Sequence, residues 1–105
     1  MPKYLFKANY VGEGIKGLLK EGGTSRRSVI EKMTESLGGT LEVFYYAFGE
    51  TDVFAIGELP DNAAAAAFAL TISSSGAATV DTTVLMTPEE VDEVVKKSPT
   101  YRPPG

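Results

Sequence analysis

The chain has no cysteine and no histidine. Without cysteine there can be no disulfide, no thiolate nucleophile and no sulfur ligand for zinc or an iron–sulfur cluster. Without histidine the commonest general base and the commonest transition-metal ligand are missing as well. Acid–base chemistry would fall to Asp, Glu, Lys or Tyr. A metal would have to sit among oxygens, and no calcium-loop spacing is present. The sequence therefore predicts no metal and no cofactor. Positive charge is also scarce, with ten Lys and Arg against fourteen Asp and Glu. The basic residues are scattered, apart from Arg26-Arg27 and Lys96-Lys97. No basic face for nucleic acid is expected. No apolar run is long enough to span a bilayer, and the first ten residues, MPKYLFKANY, lack the features of a signal peptide. The expectation is a cytoplasmic protein with neither a membrane nor a nucleic-acid partner.

What is present suffices for one domain and one core, since the chain has 105 residues. Residues 3–10, KYLFKANY, read as a first strand. Residues 11–23, VGEGIKGLLKEGG, hold five glycines, too many for a firm helix, with at most a short turn of helix around Ile15 to Leu19. Within them Gly12-Glu13-Gly14-Ile15-Lys16-Gly17 fits G-x-G-x-x-G. The long helix and parallel strand that dinucleotide binding needs do not follow, so a mobile loop is expected there. Residues 24–37 place Val29, Ile30, Met33 and Leu37 on one helical face, with Thr24 or Ser25 as N-cap and Gly38-Gly39 as the stop.

Residues 40–48 and 53–59 read as two strands of a hairpin, linked through Gly49-Glu50-Thr51-Asp52. Simple alternation puts Leu41, Val43, Tyr45 and Ala47 on one face, and Glu42, Phe44, Tyr46 and Phe48 on the other. Asp61 can cap an alanine-rich helix over 62–72, whose buried side is marked by Phe68 and Ile72. Residues 77–86 form a fourth strand. Thr87-Pro88-Glu89-Glu90 starts a last helix through a capping box. The domain is expected over 1–97, with a proline-rich tail at 98–105.

The order β-α-β-β-α-β plus a helix is that of a ferredoxin-like α+β fold with a four-stranded antiparallel sheet. Two crossover helices cover only one sheet face. Here the second face is apolar as well, and a monomer rarely exposes so much. A homo-oligomer packed sheet to sheet, of the dimeric α+β barrel type, is the expected assembly.

Each candidate site has a plainer alternative. Lys16 with loop N–H groups could hold an anion, as could Arg26 and Arg27, whose charge sits against the helix dipole. Their alternative is a solvated face or an intersubunit ion pair. Of Tyr4, Tyr10, Tyr45 and Tyr46, the last two fall on opposite sheet faces, so one of them can line a cavity between sheet and partner, with core or interface packing as its alternative. Asp52 and Glu50 suit a turn; as a base, Asp52 would need burial. Glu58 and Asp81 are further carboxylates on strands.

Taken together, NYVGEGIKG, SRR…ESLGG, FYYAFGETDV, ELPDN and VLMTPEEVDEVVKKS…YRPPG resemble the GYD domain family of small bacterial proteins over essentially the whole chain. The family's Gly-Tyr-Asp signature corresponds to Gly49, Thr51 and Asp52, with Thr51 in place of the tyrosine. The resemblance implies a ferredoxin-like, dimeric α+β barrel fold. It implies no activity.

Three functions stand on this basis. The first is binding of a small anionic or aromatic molecule between sheet and helices, through Tyr10, Lys16, Arg26, Arg27 and Tyr45. The second is a cofactor-independent enzyme of isomerase or monooxygenase type, with Tyr45 or Tyr46 as acid, Arg26 as anion clamp and Asp52 or Asp81 as base. The third is a structural or regulatory assembly subunit, whose YRPPG tail could dock on a neighbouring subunit.

Overall fold

A computed structural model describes residues Met1–Gly105. The elements are β1 (Lys3–Tyr10), α1 (Gly12–Glu21), α2 (Gly23–Ser36), β2 (Thr40–Tyr46), β3 (Val53–Glu58), α3 (Asn62–Ser74), β4 (Ala78–Leu85) and α4 (Pro88–Val95). The four strands form one antiparallel sheet in the order β2-β3-β1-β4. This is the ferredoxin-like α+β arrangement expected from the strand and helix order.

The first crossover differs from the sequence expectation. Residues 12–21 are helical, not a loop. Each glycine weakens a helix by about 1 kcal/mol, but tertiary contact overrides that preference here. The Val11 amide donates to the Ala77 carbonyl at 3.0 Å. Gly14 is buried where the helix meets that same peptide; a Cβ there would lie 1.9 Å from the Ala77 oxygen. Gly14 is thus a close-approach residue, not a hinge. Gly22, with φ +87°, separates α1 from α2, a conformation glycine adopts at little cost. Consequently α2 begins at Gly23, and neither Thr24 nor Ser25 caps it.

The other two predicted side-chain caps form. Asp61 accepts from the Ala64 amide at 2.9 Å. Thr87 and Glu90 make the reciprocal capping box, each bond 3.1 Å. Both are local chemistry, which is why the sequence reveals them.

The core lies between the sheet and the helices. Tyr4, Phe6, Leu41, Ala55, Leu59, Ala65 and Phe68 form its buried cluster, with Ile30, Met33 and Leu37 of α2 packed against it. Phe6 and Phe68 meet with ring centroids 4.3 Å apart. α2 rests on β2 and α3 on β4.

Strand β2 is shorter than expected and does not alternate simply. It ends at Tyr46, leaving Phe48 fully exposed in the following loop. The register slips by one residue between Leu41 and Val43. This β-bulge makes Glu42 the extra residue. Leu41 pairs with Gly57, Val43 with Ile56, Phe44 with Ala55 and Tyr46 with Val53. Leu41, Phe44 and Tyr46 therefore share the covered face, and Val43 and Tyr45 the open one. The face assignment from strict alternation is corrected in this respect.

The open face carries Leu5, Val43, Tyr45, Phe54, Ile56 and Leu85. Tyr45 and Phe54 are exposed. At one end Lys3 bridges Glu42 and Glu58, the latter at 3.1 Å. Hydrogen bonds that Lys3 donates to Glu42, then to Glu58, raise its ammonium above the usual range, and Lys3 in turn lowers Glu58. After Leu85 the chain leaves the body. Every residue from Pro88 to Gly105 is exposed, and α4 has no substantial packing on any other element. The radius of gyration is accordingly 16.6 Å, against about 13 Å for a closed domain of this size.

Candidate functional site

A cavity of about 210 Å³ opens between α2 and α3, with the sheet as its floor. β1 supplies Phe6, Ala8 and Tyr10, β2 supplies Phe44, β3 supplies Val53 and Ala55, and β4 supplies Ala78 and Val80. Small residues recur on this floor, and the space above them is what remains once the helices are seated. Ile30 and Met33 form one wall, Phe68 and Ile72 the other. At the rim stand Arg26, Val29, Thr71 and Ser75.

The lining is apolar except for a few groups, and Arg26 is its sole charged side chain. Arg26 lies in the first turn of α2 and is about a quarter exposed, with Glu21 3.4 Å from its guanidinium. That separation is long for a charge-assisted bond, so the guanidinium has capacity for another anion.

Two tyrosines organise the same end. Tyr10 lines the cavity. Tyr46 lies behind it, its hydroxyl donating to the Gly23 carbonyl at 2.8 Å. Burial, then the neighbouring Tyr10 phenol, push Tyr46 above the usual phenol range, while Arg26 pulls it down. Tyr46 thus stays protonated and ties β2 to the first turn of α2, beside Arg26. Gly23 is small for this reason: a Cβ there would lie 3.0 Å from the Tyr46 ring.

Asp52 fixes Tyr10 from the other side. Its carboxylate accepts from the Tyr10 amide at 2.9 Å. Its own amide donates to the Ala8 carbonyl at 3.0 Å and lies 3.1 Å from the Asn9 side-chain oxygen. The link from Ala47 to Asp52 closes through the Ala47 amide on the Asp52 carbonyl at 2.8 Å. Asp52 therefore carries the pairing between β1 and β3 one step past the strand end. Asp52→Ala should cost about 1–3 kcal/mol, since it leaves a half-buried amide without a partner. Asp52→Asn, which keeps an acceptor, should cost less than half as much. Urea denaturation measures both, and hydrogen exchange at the Tyr10 amide should quicken in the alanine variant alone.

The remaining candidates lie elsewhere. Lys16 is on the exposed side of α1, 3.3 Å from Glu13. Arg27 pairs with Glu31 one turn on, at 3.4 Å. Tyr45 is on the open face and 70% exposed. Asp81, opposite Lys7, is on that face too, with Glu58. Glu50 stands in the loop with Phe48 and Thr51. The structure thus brings Tyr10, Arg26, Tyr46 and Asp52 to one end of the cavity, and places Lys16, Arg27, Tyr45 and Asp81 apart from it. Of the enzyme alternatives drawn from the sequence, Tyr45 and Asp81 lie on the open face, whereas Tyr46, Arg26 and Asp52 lie near one another at the cavity end. Sequence reading took Phe44 and Met33 only as face residues, not as site residues, and passed over Thr71 and Ser75. The alanines at 8, 55 and 78, small residues in strands, were the available signal.

No group of three or more acidic side chains is placed to hold a metal ion. No helix is long and apolar enough to cross a membrane. No curated protein and no solved structure matches the chain at a significant level. The family model of the GYD domain matches residues 4–95, which include every residue of the cavity and the Gly49–Asp52 link that bears the signature. The chain belongs to the GYD domain family.

Proposed function

We propose that the protein binds a small, mostly apolar molecule bearing one acidic group, in the cavity between α2, α3 and the sheet. The observation that carries this reading is the single cation at the rim of an otherwise apolar lining. Ligand sites commonly combine an apolar wall with a few placed polar groups. Size supports a small ligand: about 150 Å³ of apolar cavity accommodates benzene, so 210 Å³ suits one ring with a short acidic substituent. Arg26 would meet the acid, and the Ser75 and Thr71 hydroxyls lie on the same rim. Tyr46 and Asp52 would act indirectly, by holding α2 and Tyr10 in place.

Phenylacetate and its neutral amide test the reading by calorimetry. A charge-assisted bond contributes about 1.5–3 kcal/mol, so the acid should bind roughly 10- to 100-fold more tightly. Arg26→Gln should erase that preference without changing the fold. Equal binding of acid and amide, or no single-ring acid binding at millimolar concentration, would count against it.

The same reading includes self-association through the open sheet faces. The open face presents six apolar side chains that no helix covers. Its charges are mixed, with Lys3 and Lys7 among Glu42, Glu58 and Asp81, which suits pairing with itself across a two-fold axis.

A further inference from the structure

We propose that the C-terminal arm, Met86–Gly105, is a clasp that closes on a second copy of the chain; this rests on the self-association just described. The arm is a formed element without a seat. α4 has a complete capping box and Pro88 in its first turn, so its start is fixed locally, but its eight residues are too few for a helix to be stable in water unsupported. Val94 and Val95 fall one turn after Val91, giving an i, i+3, i+4 stripe, and all three are exposed. Met86 and Tyr101 extend this apolar surface to either side, again exposed. An apolar stripe on a capped helix implies a surface to cover it.

The size of the open face indicates that the second surface belongs to another copy. Four strands about 4.8 Å apart and some seven residues long make a plane of roughly 450 Å². A stable interface takes about 800 Å² from each partner. The face alone falls short. The arm supplies the difference: α4 and the extended tail beyond it present roughly another 400 Å² on one side. The arm is also continuous with that face. Leu85, its point of departure, is an open-face residue opposite Lys3. A second copy seated on the open face therefore lies beside the root of the arm. Two-fold symmetry then gives each copy one arm to donate and one to receive.

The tail fits the same role. Tyr101-Arg102-Pro103-Pro104 favours an extended polyproline conformation, which costs little entropy to dock against aromatic rings. The open face offers Tyr45 and Phe54, with Phe48 at its loop end.

Sedimentation equilibrium of the full chain is the test, with two variants. The wild type should run at twice 11.2 kDa at micromolar concentration. Val91→Glu with Val94→Glu alters only exposed arm positions, so the domain should fold unchanged by circular dichroism while its dimer weakens at least tenfold. Phe54→Glu reports the face separately and should weaken the dimer whether or not the arm takes part. A wild type that stays monomeric at 100 μM overturns both self-association and clasp. A dimer that Phe54→Glu weakens but the arm variant does not overturns the clasp alone. The absence of cysteine gives a second readout. A chain with Val94→Cys should form disulfides or short maleimide cross-links to other chains carrying a single surface cysteine on the body. Exclusive cross-linking within one chain, in a double-cysteine version, would mean the arm folds back on its own domain and would overturn the proposal.

Discussion

Gly14→Ala should lower the melting temperature by roughly 12 °C or more, whereas Gly17→Ala, one turn on in the same helix, should raise it slightly. Helix propensity alone predicts a gain of about 0.5–1 kcal/mol for either change. The surroundings differ. A Cβ at Gly17 meets nothing within 4 Å, while at Gly14 it falls 1.9 Å from the Ala77 oxygen and 2.8 Å from its carbonyl carbon. Those atoms are backbone and cannot rotate away. α1 would have to lift from the Ala77 peptide just ahead of β4, stretching the bond from the Val11 amide to the same oxygen. Forced overpacking costs about 3 kcal/mol at the upper end of its common range, and each kcal/mol shifts a domain of this size by about 4–8 °C. Gly39→Ala should behave like Gly14→Ala, because its Cβ would lie 2.1 Å from the Glu58 oxygen. Scanning calorimetry of the three variants decides the matter. Equal effects at 14 and 17 would mean that α1 is not seated on Ala77.

Phe68→Ala should remove about 3–5 kcal/mol, the usual range for deleting a buried aromatic. Phe68 is 3% exposed, tilts against Phe6 and forms one wall of the cavity. Its loss joins the space it vacates to the existing cavity. Folded domains have only about 5–15 kcal/mol in total, and this one has few fully buried side chains, so the variant should be largely unfolded near body temperature. The shape of the damage gives a second measurement. An apolar hole lined by rings and aliphatic groups can take an apolar guest. Benzene or indole should therefore raise the melting temperature of Phe68→Ala more than that of the wild type. Urea titration with and without the guest measures both effects. A loss below 1 kcal/mol would show that α3 re-packs without the ring.

The sequence revealed those parts of the fold that depend on neighbours along the chain. Asp61 and the Thr87–Glu90 box are caps written within a few residues. Phe68 with Ile72, and Ile30 with Met33, mark buried helix faces by spacing alone. α1 was hidden because the reason for its glycine lies far along the chain, at Ala77. The faces of β2 were misread because periodicity assumes an unbroken ladder. The site was legible as residue types, not as a place. Arg26 and Tyr10 stood out as an odd cation and a strand tyrosine. Nothing in their spacing distinguishes Arg26, turned to the cavity, from Arg27, turned to Glu31. That choice is made by the tilt of α2, which Gly22 and the Tyr46–Gly23 bond fix from outside the helix.

The bulge at Glu42 has a bearing on how this chain can vary in length. Strand residues alternate strictly, so losing one residue within a regular stretch of β2 would turn every later side chain over. Phe44 would leave the cavity floor and Tyr45 would enter it. Glu42 is the exception, since it has no partner of its own in the ladder. Its removal would regularise the strand while leaving Leu41, Val43 and Phe44 on their present faces. The cost would be one of the two carboxylates on Lys3. Among relatives of this chain, a gap of one residue in the second strand is thus tolerable at that position and at no regular position beside it.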